Sequence, residues 1–275
     1  MTPEQRAFLD GLVARIRSLP SVDATGSTAE RAYDLDTVRT HLIAPWRSIV
    51  DRLTDSVDAQ LAALSSDEHA RLRVLQESPS LLAPLGLARD EVTHSRLLAW
   101  FLAQKDDVGE TCRRSWLGLV GLDATLPTDG WRVSRERDLG GHGRLDVHVE
   151  IPGAALVYVE VKIDAPERKN QLADYRAHLQ AHRGDHPHAK LVFLTPRGHE
   201  GTSGVADVRL GFDTVVARWL PHAVGSHPTA VYLRAWLSAL ARDVLRQTGA
   251  PGADWSLNHR NGALRLLRPP GDAHG

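Results

Sequence analysis

Cysteine is nearly absent. One residue, Cys112, in a chain of 275 permits no internal disulfide and excludes a zinc knuckle built on thiolates. Long apolar runs are missing too. Nothing approaches the roughly 18–20 consecutive apolar residues of a membrane span, so no membrane partner is expected. The opening stretch, MTPEQRAFLDGLVARIRSLP, contains acids and no unbroken apolar centre, which is not the pattern of a secretory signal. A cytoplasmic location is the expectation. Net charge is scarce: 33 basic against 34 acidic side chains leave −1. No global field therefore draws in nucleic acid or anionic lipid, and a polyanion would have to be held by a local basic patch or by metal. Phosphate-binding Gly-rich loops, HExxH and Gly-x-Ser-x-Gly elbows are also absent.

What remains is ordinary globular composition, with 42% hydrophobic and 24% charged residues. The length suits one large domain, or a core with an appendage. Arginine far outnumbers lysine and alanine is abundant, a composition bias that carries no functional reading.

Residues 1–84 read as helices, because LDGLVARIRSL and WRSIVDRLTDSVDAQLAAL repeat apolar residues every three or four positions. The polar SVDATGSTAE separates them as a loop. Nine arginines, no lysine and twelve acids in this region, 9 − 12 = −3, make it a poor grip for a polyanion. It is expected to serve as a helical cap or an assembly element. SPSLLAPLGLA marks a boundary. A domain is expected over 85–249, with the order helix, strand, strand, strand, helix, strand, and then a mixed end; 250–275 reads as a tail without a period.

RDEVTHSRLLAWFLAQ is the first of these helices, and WRVSRERDL the first strand. PERKNQLADYRAHLQAHR is expected to be helical with Pro166 in its first turn. KLVFLTP is apolar throughout, as in a strand covered on both faces. DVRLGFDTVVARWL suggests a strand and then a helix capped by Asp213. HPTAVYLRAWLSALARDVLRQTG reads as one long helix closed by Gly249.

The stretch GRLDVHVEIPGAALVYVEVK, residues 143–162, holds the most chemistry. Alternate side chains of a strand share a face. Leu145, Val147, Val149 and Ile151 fall on one side, and Asp146, His148 and Glu150 on the other. In the second arm Tyr158, Glu160 and Lys162 stand together. If 152–154 form a three-residue loop, paired positions sum to 306 and Asp146 faces Glu160. Two carboxylates with Cβ atoms about 5 Å apart repel unless a cation lies between them. Lys162 offsets this only in part, and an oxygen-seeking divalent ion would remove it. On this pattern alone, a metal site and a solvated, metal-free face both stand.

The surrounding residues resemble the PD-(D/E)xK nuclease superfamily, and within it a bacterial family that combines several short signatures. They are Glu91 with His94-Ser95 ahead of LLAWFL, Glu136 on the first strand, GRLDVHVE, VYVEVKI, Gln171 and Tyr175 in NQLADY, and VFLTPRG, over roughly 88–220. The proline that often precedes the first aspartate is replaced by Leu145.

The resemblance implies an α/β, restriction-endonuclease-like αβββαβ core with a mixed central sheet, preceded by the helical N-terminal region. It implies Mg2+, with Mn2+ able to substitute, held by Asp146, Glu160 and the backbone carbonyl of Val161. Lys162 would orient or deprotonate water and stabilise phosphate charge, and Glu91 would add a metal or water ligand. Gln171 and Tyr175 would brace the site or touch the sugar-phosphate backbone. Arg144, with Arg132, Arg135, Arg137, Arg168 and Lys169, would hold phosphates. Glu136, flanked by arginines, is ambiguous. His94 is expected to cap or pack beside the site, and its Glu-x-x-His spacing lacks the second copy that a di-iron bundle needs. His148 reads as a partly exposed strand histidine, and the histidines of GGHGR and HPHAK as solvated loop residues.

The expected activity is phosphodiester hydrolysis of nucleic acid, most simply as a DNA endonuclease, with defence against foreign DNA as one setting. The N-terminal helices would serve a homodimer or a partner protein. Two other readings stand: a nuclease fold that binds nucleic acid or protein without cutting, and a helical adaptor whose α/β part is scaffold.

Overall fold

The computed structural model describes residues 44–199, 201–202 and 204–268. The chain divides into two compact units, 1–52 and 53–275. The first is described only through the opening turns of helix α1, Ala44–Ala62. The helix expected around 9–19, the loop at 21–30 and the last residues of the tail lie outside the described residues.

In the second unit, α2 (Ser66–Glu77) opens on a capping box. Ser65 Oγ accepts from Glu68 N–H, and the Glu68 carboxylate accepts from Ser65 N–H. Its Leu72, Val74 and Leu75 are buried in the main core, so this helix packs with the α/β body although the sequence boundary was drawn after it. Helix α3 (Glu91–Ala103) starts where the Asp90 carboxylate accepts from Thr93 N–H at 2.7 Å. Helix α4 (Asp107–Leu119) is capped in the same way by Asp106.

There follow β1 (Arg132–Asp138), β2 (Arg144–Ile151), β3 (Ala155–Val161), α5 (Gln171–His182), β4 (His188–Thr195) and β5 (Val208–Gly211). Helices α6 (Phe212–Trp219), α7 (Pro228–Ala239) and α8 (Leu257–Leu267) complete the chain. The five strands lie in sequence order, β1-β2-β3-β4-β5. The first two junctions are antiparallel hairpins, and the β3–β4 and β4–β5 junctions are parallel. The mixed α/β sheet with flanking helices matches the expected architecture.

One face of the sheet carries Val147, Val149, Val157, Val159, Val192 and Leu194 into the large core with residues of α2, α3, α4, α6, α7 and α8. The other face has a smaller core, where Leu156, Tyr158, Leu191 and Phe193 meet Leu172, Tyr175 and Leu179 of α5. Strand β3 is central and buried at all seven positions, which explains its continuous apolar character apart from Glu160. Strand β1 is an edge, largely exposed and rich in charge, a composition that discourages pairing with other chains.

Several local expectations change. Helix α5 starts at Gln171, not near Pro166, because Asn170 takes a left-handed φ of 63°. The N-cap of α6 is Gly211; Asp213 sits inside the first turn and accepts from Thr214 N–H. The long C-terminal helix does not run to Gly249. It passes into a π-helical turn, Leu240–Val244, and breaks at Arg246, whose φ is 55°. Helices α4 and α8 were not anticipated. In α8 Gly262 lies directly against the Gln247 backbone, where a Cβ would stand 2.2 Å from the carbonyl oxygen; this helix rests on tertiary packing more than on propensity.

Candidate active site

The hairpin of β2 and β3 turns through a three-residue loop closed by Ala154 N–H to the Ile151 carbonyl, 2.9 Å. Ile151 pairs with Ala155 and Val147 with Val159, the register in which paired positions sum to 306. The ladder then ends. Val161 N–H, left without a strand partner on this side, is taken by the Asp146 carboxylate, Oδ2 at 2.8 Å. This bond draws Asp146 across to the end of β3, beside Glu160. The same divergence breaks the expected alternation of faces: Leu145 packs with Tyr158 and Tyr175, on the opposite side of the sheet from Val147.

Glu160 is 1% exposed. Its Oε1 accepts from Lys162 Nζ at 2.6 Å and from Gln171 Nε2 at 2.6 Å. Its Oε2 is buried and has no donor. Burial, and next the charge of Asp146, push its carboxyl up to about 8. Burial likewise pushes Asp146 up to about 6, against the opposing pull of Val161 N–H and Lys162. Lys162 is raised: burial works against its charge, but the carboxylates of Glu160, Glu91 and Asp146 outweigh it. Two acids and one cation stand together, largely buried, with a deficit of positive charge. The sequence-predicted trio Asp146, Glu160 and Lys162 is thus brought together.

Glu91 stands in the first turn of α3. Its Oε1 accepts three successive backbone N–H groups, from Ile163 (2.8 Å), Asp164 (3.2 Å) and Ala165 (3.1 Å), and its Oε2 is 3.6 Å from Lys162 Nζ. The carboxylate therefore anchors the turn that leaves β3 and faces the lysine at the same time. Arg89, which the sequence reading missed, holds this turn from outside. Its guanidinium pairs through two nitrogens with Asp164, at 2.5 and 2.7 Å, and donates to the carbonyls of Asp243 and Val244. The only signal for it in the sequence was an Arg just ahead of Asp90.

Gln171 and Tyr175, four apart on α5, both reach the site. Gln171 Oε1 accepts from Arg168 N–H (3.0 Å), which turns its Nε2 toward Glu160 and toward the Tyr175 hydroxyl at 3.1 Å. That hydroxyl donates to the Arg144 carbonyl at 2.5 Å. The chain of bonds ties α5 to the start of β2 and fixes the Glu160 carboxylate. Gly143, with φ of 101°, lets the backbone turn in front of Arg144, close beneath Tyr175. The Arg144 side chain points away to Glu136, 3.3 Å, and its backbone, not its charge, meets the site residues.

Other candidates fall elsewhere. Glu136 has a left-handed φ of 49° and its charge helps to raise Asp146. His94 is buried, bonded through Nε2 to the Ala88 carbonyl and through Nδ1 to the Trp236 indole N–H; it packs behind the site. His148 is buried rather than partly exposed, and Arg137 donates to its ring at 2.7 Å. Arg132 and Arg168 are paired with Glu150 and Asp174, while Arg135 and Lys169 are exposed.

Among the described residues no set of three or more His, Cys, Asp or Glu side chains forms a ready-made metal cage. The fit to a cation rests on the orphaned, buried Glu160 Oε2 and on two carboxylates both raised by burial, Glu160 further by the charge of Asp146 and Asp146 further by Glu136 and Glu91. Oxygen donors of this kind, few in number, suit a hard divalent ion that keeps several of its waters.

Two acids and a lysine thus meet where two strands of a mixed sheet diverge. The family model of the PD-(D/E)XK nuclease superfamily matches residues 81–251, more than half of the chain. The chain belongs to that superfamily, a group of nucleases that generally use divalent metal ions. No curated protein and no solved structure matches it. No helix among the described residues is long and apolar enough to cross a membrane.

Proposed function

We propose that this chain is a Mg2+-dependent endonuclease acting on DNA, with Mn2+ able to replace Mg2+. Asp146, Glu160 and the Val161 carbonyl would hold the ion. When bound, a divalent ion supplies Lewis acidity toward a phosphoryl oxygen and lowers the pKa of water.

The protein's own groups do the rest. Lys162 carries a proton at Nζ beside Glu160 and offers positive charge to the phosphate in the transition state. Gln171 and Tyr175 hold the Glu160 carboxylate in one orientation, so that Oε2 stays free of competing donors. Glu91 keeps the 163–165 turn, and with it Lys162, against the site. The basic side chains of β1 and of the turn before α5 would meet flanking phosphates. Residues 1–84 would serve assembly or partner docking, and a defence role fits an enzyme of this kind.

The observation that carries the reading is the bare, buried Oε2 of Glu160 next to Asp146 and Lys162. The test is a covalently closed plasmid incubated with purified protein and Mg2+, alongside RNA of similar length. Nicking by the wild type that is lost in Asp146→Ala and in Lys162→Ala is the expected result. Equal nicking by both variants, or by the wild type in EDTA, would overturn it. A nuclease fold that only binds would give no nicking and no Mg2+ uptake that depends on Glu160 in calorimetry.

A further inference from the structure

Beside the site, the sheet face that carries α5 gathers histidines from separate parts of the chain. Helix α5 packs over β3 and β4, and the β1–β2 side of this face presents Arg132, Ser134 and Arg137 as exposed residues. His178 and His182 of α5 stack ring on ring at 3.8 Å, and His142, from the short turn before β2, lies against His178 at 5.6 Å. His178 Nδ1 bonds the Tyr158 hydroxyl at 2.9 Å, and Tyr158 lies against His148, which receives an N–H from Arg137.

Burial first, and then the positive charge of Arg137 and of His182 and His142 when protonated, hold His178 below the usual imidazole range. The neighbouring acids are engaged elsewhere. Glu150 faces Arg132 at 2.8 Å and His186 at 3.9 Å. Glu136 faces Arg144, Asp174 faces Arg168, and Asp138 accepts from Gly140 N–H. A group of cationic and titratable nitrogens with no carboxylate of its own is a receptor for an anion. The cluster offers no metal cage. It begins on the strand that carries Asp146, two residues further along β2 at His148.

We infer that Arg137, His142, His178 and His182 form a phosphate-backbone subsite that holds the nucleic-acid strand next to the cleaved bond. The inference rests on the nuclease reading. A phosphodiester bound there supplies the missing countercharge, so binding takes up protons and tightens as pH falls.

The test is binding of a fluorescent DNA of about 20 nucleotides in EDTA, which prevents cutting, at pH 6 and pH 8 and at several salt concentrations. Asp146 and Glu160 titrate in the same range, so the readout is the difference between the wild type and His142→Ala/His182→Ala, which keeps the Tyr158–His178 bond. We expect the variant to lose roughly tenfold in affinity at pH 6, little at pH 8, and about one unit of salt slope at pH 6. In the wild type, the NMR titration midpoints of these two histidines should move to higher pH on adding the DNA and stay put with millimolar inorganic phosphate. Equal affinity of variant and wild type at both pH values, or midpoints that move with phosphate and not with DNA, would overturn the subsite alone. A wild type that binds no DNA would overturn it together with the nuclease reading.

Discussion

The two faces of the sheet are built on opposite terms. On one, Leu98, Phe101, Trp116, Phe212 and Trp219 are fully buried against the valines of β2 and β3. On the other, a single helix covers a thin core, and its polar residues, Gln171 and Tyr175, are spent on holding Glu160. The thick face supplies rigidity without chemistry. The thin face supplies chemistry whose cost is a buried, under-neutralised carboxylate. The hairpin belongs to both, since Val159 and Val161 pack on the thick side while Glu160 between them faces the site.

That contrast can be broken from either side. The largest effect is expected at the site. Lys162→Ala or Glu160→Gln should lower the rate of plasmid nicking by about a thousandfold or more, as loss of a group acting on the transition state does. Thermal unfolding of both variants should remain cooperative. On the thick face Leu98→Ala should do the reverse. It should cost about 2–5 kcal/mol of stability by urea denaturation, with nicking per folded molecule nearly unchanged below the melting range.

The charge deficit gives a pH prediction. In the metal-free protein Glu160 titrates near 8 and Asp146 near 6, against ordinary values of 4.5 and 3.8. Between each ordinary value and its raised one, the folded state binds more protons than the unfolded state, so stability falls as pH rises through that window. Differential scanning calorimetry in EDTA should show Tm decreasing from pH 5 to pH 8, by roughly 2–4 kcal/mol of stability in total. Mg2+ should restore more at pH 8 than at pH 5, and Glu160→Gln should flatten the metal-free profile. A profile equally steep in that variant would place the deficit elsewhere.

The smallest effect is expected at the brace. Tyr175→Phe removes the bond to the Arg144 carbonyl and should cost about 1 kcal/mol. It should slow nicking several-fold while leaving Mg2+ affinity in calorimetry nearly unchanged.

The sequence was most legible where period and chemistry coincide. The 306 register followed from one proline–glycine turn and strict alternation, and the hairpin holds it as far as Val147↔Val159. The positions of Glu91, Gln171 and Tyr175 came with the family resemblance, not from spacing. What could not be read was what the acids do once buried. Asp146 reaches Val161 N–H only because the strands part there, and Glu91 takes three amides of a turn some seventy residues away. Such bonds depend on long-range geometry with no local signature. The histidines of GGHGR and HPHAK looked solvated for the same reason; His142 lies against His178, and His186 Nε2 is buried. Helix α8 escaped notice because Asn258, Asn261 and Gly262 interrupt its pattern, and its order comes from packing on Gln247.

The central claim is that Asp146 and Glu160 share one divalent ion beside Lys162. The most direct measurement is anomalous scattering from crystals soaked in Mn2+. The account predicts a peak within coordination distance of one oxygen from each carboxylate, with Glu160 Oε2 among them, that disappears in Glu160→Gln. A map with no peak there, or with Mn2+ bound at other residues while the two carboxylates stay bare, would contradict it.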